Sequence, residues 1–343
     1  MKEYIGVLFM ALSLGLSAQH GNEDAEKWMG NRPDGHAPIT VMGDHLHHKG
    51  GFMISYRYMH MNMEDLLLGG DEVSFQSVLL PNGGSYMVTP TKMPMNMHMI
   101  GAMYAPSNRL SLMIMGSIVD MEMDHLTAMG TNFTTESSSF GDTRISGLYK
   151  IFNRNAQYLH ARLGVSVPTG SIEEMDVTPA SSPNEVILPY PMQIGSGTWD
   201  FETALTYLWQ CGDLSGGNQL NATWRTGTND NEYRLGNQYS LQNWIAYRVL
   251  DWLSFSGRIE GRVVDAINGA NPDLNPMMVI TADTANSGGR YLNGGLGFNL
   301  YVPQGSLKNL RFGFEVSGPF IQNLNGVQLK TKESVTAGVQ YGF

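Results

Sequence analysis

The stretch Leu159-His160-Ala161-Arg162-Leu163-Gly164-Val165-Ser166-Val167 sets an apolar residue at every second position, with His160, Arg162 and Ser166 between. Successive side chains of an extended chain point to opposite faces, so this is a strand with one apolar and one polar side. The same pattern runs outward in both directions. Upstream, Phe52, Ile54, Tyr56 and Tyr58 alternate with Met53, Ser55, Arg57 and Met59, and Ile145, Gly147 and Tyr149 with Arg144, Ser146 and Lys150. Downstream, Phe201, Leu205, Tyr207 and Trp209 oppose Asp200, Glu202 and Thr206. Leu220, Ala222 and Trp224 oppose Gln219, Asn221, Thr223 and Arg225. Leu253, Phe255, Ile259 and Val263 oppose Arg258, Glu260 and Arg262, and Phe312, Phe314 and Val316 oppose Arg311, Glu315 and Ser317. Counting these and their neighbours, about twelve strands are expected.

Composition narrows what such strands can build. Only 15% of the 343 residues are charged, 40 are Gly, and mean hydropathy is −0.19. That hydropathy leaves no room for a helical bundle in a membrane, each span of which needs roughly 20 apolar residues. A net charge of −10 argues against nucleic acid as a partner. Cys211, the single cysteine, excludes a disulfide framework. Connections divide into long and short: long gaps follow Met59, Val119, Pro168 and Val264, while Pro106–Asn108, Asn153–Ala156 and Leu250–Trp252 are tight. Long connections at one end and short turns at the other predict a transmembrane outer-membrane antiparallel β-barrel, a closed sheet that leaves no backbone group unpaired in lipid. The chain ends Tyr341-Gly342-Phe343 after an alternating strand. This resembles the C-terminal signal read by the barrel-assembly machinery of Gram-negative bacteria, which implies insertion into the lipid of the cell outer membrane.

The expected organisation is a signal peptide over residues 1–19, a polar segment over 20–50 that could enter the barrel as a plug, and the barrel over 51–343. Lys2, the apolar run Ile5–Leu16 and Ser17-Ala18-Gln19 carry the export reading. Within the polar segment, Arg32-Pro33-Asp34-Gly35-His36-Ala37-Pro38-Ile39 is followed by Val41-Met42-Gly43-Asp44-His45 and then by Met53-Ile54-Ser55-Tyr56-Arg57-Tyr58-Met59. These runs resemble the outer-membrane transporter family named after the meta pathway of phenol degradation. The motif residues that carry the resemblance are Arg32, Pro33, Asp34, Gly35, His36, Pro38, Gly43, Asp44 and His45, and the chain departs at Thr40, where the family pattern has Gly. The resemblance implies a barrel that passes small molecules; it supplies no catalytic residue.

Methionine is the chemical oddity. Sixteen of 23 lie between Met42 and Met129, and they are ordered. Three runs repeat Met at spacing two: Met59, Met61 and Met63; Met93, Met95, Met97 and Met99, with His98; and Met121 and Met123, with His125. Spacing of two puts each run's thioethers on one strand face. The first and third share the polar parity of Ser55, Arg57 and Ser117 and should line the lumen; the parity of the second is open. Such sulfurs either bind soft ions, Cu(I) or Ag(I), or form an adaptable apolar lining. His45, His47 and His48 add imidazoles that suit harder transition ions or a solvated segment.

Charges on the polar parity, Arg57, Arg144, Arg162, Glu202, Arg225, Arg258, Glu260 and Arg262, either form a filtering constriction or pair across strands. Leu66-Leu67-Leu68 and Val78-Leu79-Leu80 are expected to pack the first outer connection on the rim. No Gly-x-Ser-x-Gly or HExxH motif occurs, so no enzymatic role is expected. The leading expectation is a channel for small hydrophobic or aromatic solutes. Handling of a copper or silver ion, as Cu(I) or Ag(I), and a structural barrel without transport are the alternatives.

Overall fold

A computed structural model describes residues 28–343; the expected export signal lies outside them. Twelve antiparallel strands close into one barrel. They are β1 (Phe52–Leu68), β2 (Val88–Ser107), β3 (Leu110–Thr127), β4, β5 (Gln157–Val167), β6 (Asp200–Cys211), β7 (Leu214–Arg225), β8 (Gln238–Leu250), β9 (Leu253–Val264), β10 (Gly289–Tyr301), β11 (Leu310–Leu324) and β12 (Val327–Gly342). β4 is split into Asn132–Phe140 and Thr143–Arg154, both paired with β3. Pairing of β1 with β12, from Met53 opposite Gly342 to Leu68 opposite Val327, closes the sheet.

The burial pattern inverts that of a soluble protein. Apolar Leu163 and Leu296 are 68% and 75% exposed, whereas His160, Asp200, Thr206 and Ser254 are fully buried. The apolar parity therefore faces outward, as a lipid girdle requires, and the polar parity faces the lumen. On β1 to β3 the outward residues turn polar beyond this girdle, at His60, Asn96, Asp120 and Glu122. The boundary carries Tyr56 and Tyr58, hydrogen-bonded to His98 and Asn96.

Strand extends into two expected long gaps, filling the one after Val119 and leaving a connection over 69–87 in the one after Met59. β3 continues past Val119 to Thr127 and turns over 128–131, and β1 continues past Met59 to Leu68. Outside the lipid the alternation persists over 59–64 and 121–124 but its sense inverts, with methionines inward and His60 and Glu122 outward, so it no longer marks a lipid-facing strand. Leu66–Leu68 thus belong to β1; Leu66 is buried with Val78, Leu79 and Ile280, which joins the first outer connection to the one after β9.

Candidate functional site

The lumen has two storeys. The inner one is filled by residues 28–48. Arg32 pairs with Asp34 at 2.7 Å and donates to the carbonyl of Gly212 in the β6–β7 turn. Pro33–Gly35 form a single 3-10 turn. The segment then runs with its carbonyls met by barrel side chains. Ser215 donates to Asp34, Asn299 to His36, Arg311 to Ala37, Gln219 to Met42 and His160 to Gly43. Irregular backbone in a lumen needs such partners, because no ladder satisfies it.

Several motif residues have clear packing reasons. Pro38 accepts from Val41 N at 2.9 Å, turning the chain. Gly43 adopts a left-handed φ of +65°, and a Cβ there would meet Arg162 Cδ at 3.3 Å. Ile39, 1% exposed, lies over Gly313 and Gly338 of β11 and β12, where any side chain would close the space it occupies. Thr40 donates its hydroxyl to Glu315 Oε2 at 2.5 Å.

Asp44 is the hub of this storey. It is 2% exposed and accepts from Ala37 N at 3.1 Å and from His45 Nδ1 at 2.8 Å, with His36 at 3.5 Å and Arg311 at 3.9 Å. Burial alone would raise its carboxyl, but His45, His36 and Arg311 together hold it well below the usual range. Burial, reinforced by Arg311, lowers His36 to about 3. His47 also falls to about 3, through burial and then through His45 and His36. His36, Asp44 and His45 offer ligand atoms within 4.8 Å of one another, yet Arg311 already supplies the cation beside that carboxylate. His48 is exposed and stands apart from them.

The upper storey has unlike walls. In the register of β1 and β2, Met59 stands opposite Met97, Met61 opposite Met95, and Met63 opposite Met93; Met95 in turn faces Met121 of β3. The second run therefore shares the lumenal face of the first, and Met99, opposite Arg57, lies on it too. His98 does not: it takes the outward parity and bonds Tyr56 at 2.8 Å, so its grouping with Met97 and Met99 is corrected. His125 faces inward with Met123, but it stacks on Phe133 and bonds Thr135 at 3.0 Å. Met93, Met121 and Met123 are buried against Leu188 and Met192, carried inward by the connection after β5. Tyr190 of that connection packs edge-on to Tyr233 and accepts from Asn271 N, tying three outer loops together.

The rest of the wall, from β4 round to β11, is ionic. Glu202 lies 3.2 Å from Arg144 and 3.9 Å from Arg162; Arg225 pairs with Asp200. Lower down, Arg258 pairs with Glu315 at 2.8 Å and Glu260 at 3.4 Å. Arg57 donates to Met42 Sδ at 2.8 Å, and Arg262 lies 4.6 Å over the Tyr291 ring. The cross-strand pairing among the expected charges is thus extensive. Arg311, which sequence reasoning left out of the site, was marked only by its place on the inward parity.

The family described as "Putative MetA-pathway of phenol degradation" matches residues 51–330. No curated protein matches. Among solved structures, a COG4313 outer membrane channel from Pseudomonas putida F1 aligns with TM-score 0.59 and 14% identity, covering 89% of this chain and all of that one. The NanC porin aligns with TM-score 0.43 and 9% identity over 84% of this chain and 98% of that one. A mutant of the TodX monoaromatic hydrocarbon channel gives 0.45 and 8% over 92% and 99%.

Proposed function

The chain belongs to the MetA-pathway of phenol degradation family, and on that premise we propose that it is an outer-membrane channel for small hydrophobic and aromatic solutes. The observation that carries the reading is the thioether wall of Met59, Met61, Met95 and Met97, half-buried beside the closed cluster of Met93, Met121 and Met192. Unbranched thioethers adapt to solutes of different shape, and each sulfur–aromatic contact is worth roughly 0.3–1.5 kcal/mol. A succession of weak, shape-tolerant contacts suits passage, where tight binding would trap the solute. The outward girdle supports residence in the outer membrane of a Gram-negative bacterium, with its lipid as solvent and the barrel-assembly machinery as the partner in insertion. The test is uptake of radiolabelled benzyl alcohol by a porin-deficient Gram-negative host. Initial rates above the empty-vector background are expected; equal rates would leave a barrel without transport.

A second reading rests on the register. Thioethers that face each other across β1, β2 and β3 could give Cu(I) or Ag(I) a soft site that needs no deprotonation. Titration of purified barrel with Cu(I) tests it. An affinity unchanged by the Met59→Leu, Met61→Leu, Met95→Leu, Met97→Leu variant removes it.

A further inference from the structure

We propose that, within the solute class just proposed, the channel selects molecules bearing one anionic group on an apolar body, monocarboxylates of the aromatic kind, and that Arg262 receives the anion. The proposal rests on the channel reading and adds a polar specificity to it.

The whole chain carries −10, yet the mid-barrel lumen holds more guanidiniums than its carboxylates can match. Glu202 serves Arg144 and Arg162, Asp200 serves Arg225, Glu260 and Glu315 serve Arg258, and Asp44 serves Arg311. Arg57 and Arg262 remain, each with no carboxylate within 4.0 Å among the described residues. Arg57 is sealed beneath the N-terminal segment and spends an N–H on Met42. Arg262 is not sealed. It is half-buried, and its Nε is buried without a hydrogen-bond partner.

The surroundings of Arg262 fit a receptor for an anion. Tyr291 sits directly across β10 and lies beneath the guanidinium, fixing its plane by a cation–π contact. Ser240, across β8, is neutral. Glu260, two residues back on the same face, is turned to Arg258 and Asn293. The free N–H groups therefore form a planar fork that matches a carboxylate, in a lumen where water competes less than in bulk. Arg262 lies nine residues from the inner end of β9 and Met61 nine from the inner end of β1, counting 262 − 253 and 61 − 52. Strands rise equally per residue, so the fork and the thioether wall stand at similar height on opposite sides. A solute with its carboxylate on Arg262 can lay its ring on the methionines.

The test compares benzoate with benzamide, its neutral near-isostere, by initial uptake into porin-deficient cells over the empty-vector rate. Wild type should favour benzoate, and Arg262→Gln should lower the benzoate-to-benzamide ratio about tenfold. Arg262→Lys, which keeps the charge but not the fork, should restore part of it. In planar bilayers under a KCl gradient, the reversal potential should indicate chloride preference in wild type and move towards potassium in Arg262→Gln. Heat-modifiable migration of each variant establishes that the barrel has closed. A ratio unmoved in a closed Arg262→Gln barrel, or a wild type that favours benzamide, overturns the proposal and leaves the channel reading intact. Uptake of neither solute overturns both.

Discussion

Below the level of Arg57 and Arg258 the lumen is filled by the chain's own residues 28–48, whereas above it one side carries thioethers and the other ion pairs. Both storeys are built from the inward parity of the same strands. In the lower one, inward groups are consumed by carbonyls of the N-terminal segment and by Asp44. In the upper one they face one another or the connection after β5. A barrel strand thus specifies only that a residue points inward; what meets it there decides between closure and passage. The sharpest way to break this contrast is Asp44→Asn. It keeps the volume but leaves Arg311 buried without its counter-ion, a loss of about 3–5 kcal/mol. The segment should leave the lumen, raising single-channel conductance and exposing residues 28–50 to added protease. Unchanged conductance and protection would mean that the lower storey is not held by Asp44.

The upper storey has its own closure, and it is apolar. Met123, fully buried, packs with Met93, Met121, Leu188 and Met192. Met123→Ala should cost about 2–4 kcal/mol of that packing and free the connection over 168–199, read as faster limited proteolysis near Leu188. Conductance through the lower storey should not change, which separates the two closures.

The inward and outward faces were legible because lipid on one side and a polar lumen on the other impose strict alternation, as in Leu159–Val167. The signal failed where that cause is absent. From His60 to Leu68 and from Asp120 to Thr127 the strands stand outside the girdle, and outward residues such as His60 and Glu122 are polar, so the apolar parity switches to the inward face and no longer marks a membrane strand. The parity of Met93–Met99 was hidden for a related reason: a register shift lies between Pro90 and Lys92, and Asn96 and His98 give the outer face no apolar mark. The N-terminal contacts were invisible because they run through carbonyls of irregular backbone, which no side-chain period reports. The motif singled out His36, Asp44 and His45, and only the fold shows that they meet.

Acid gives a graded way to move between the storeys. His36 and His47 sit near 3 when the segment is seated, against an ordinary 6.5 when released. The released state therefore binds protons more readily. Seating is fully stable above about pH 6.5 and weakens as pH falls towards 3, by about 1.4 kcal/mol per pH unit for each imidazole. Asp44, held low by its neighbours, stays charged through this window and does not offset the loss. Conductance should rise between pH 7.5 and 5, and His36→Gln with His47→Gln should flatten the curve.

The smallest expected effect is the most local. The hydroxyl of Thr40 donates to Glu315, which Arg258 also holds. Thr40→Val preserves the shape and removes one charge-assisted hydrogen bond, about 1 kcal/mol because Arg258 still neutralises the carboxylate. That is too little to unseat the segment at neutral pH. Against the proton-linked slope of the two imidazoles it should raise the midpoint of acid release by about a third of a pH unit, measured on the same conductance curve. A midpoint that stays put would mean that Glu315 is held by the barrel wall alone, and that Thr40 fills space without tying the two storeys together.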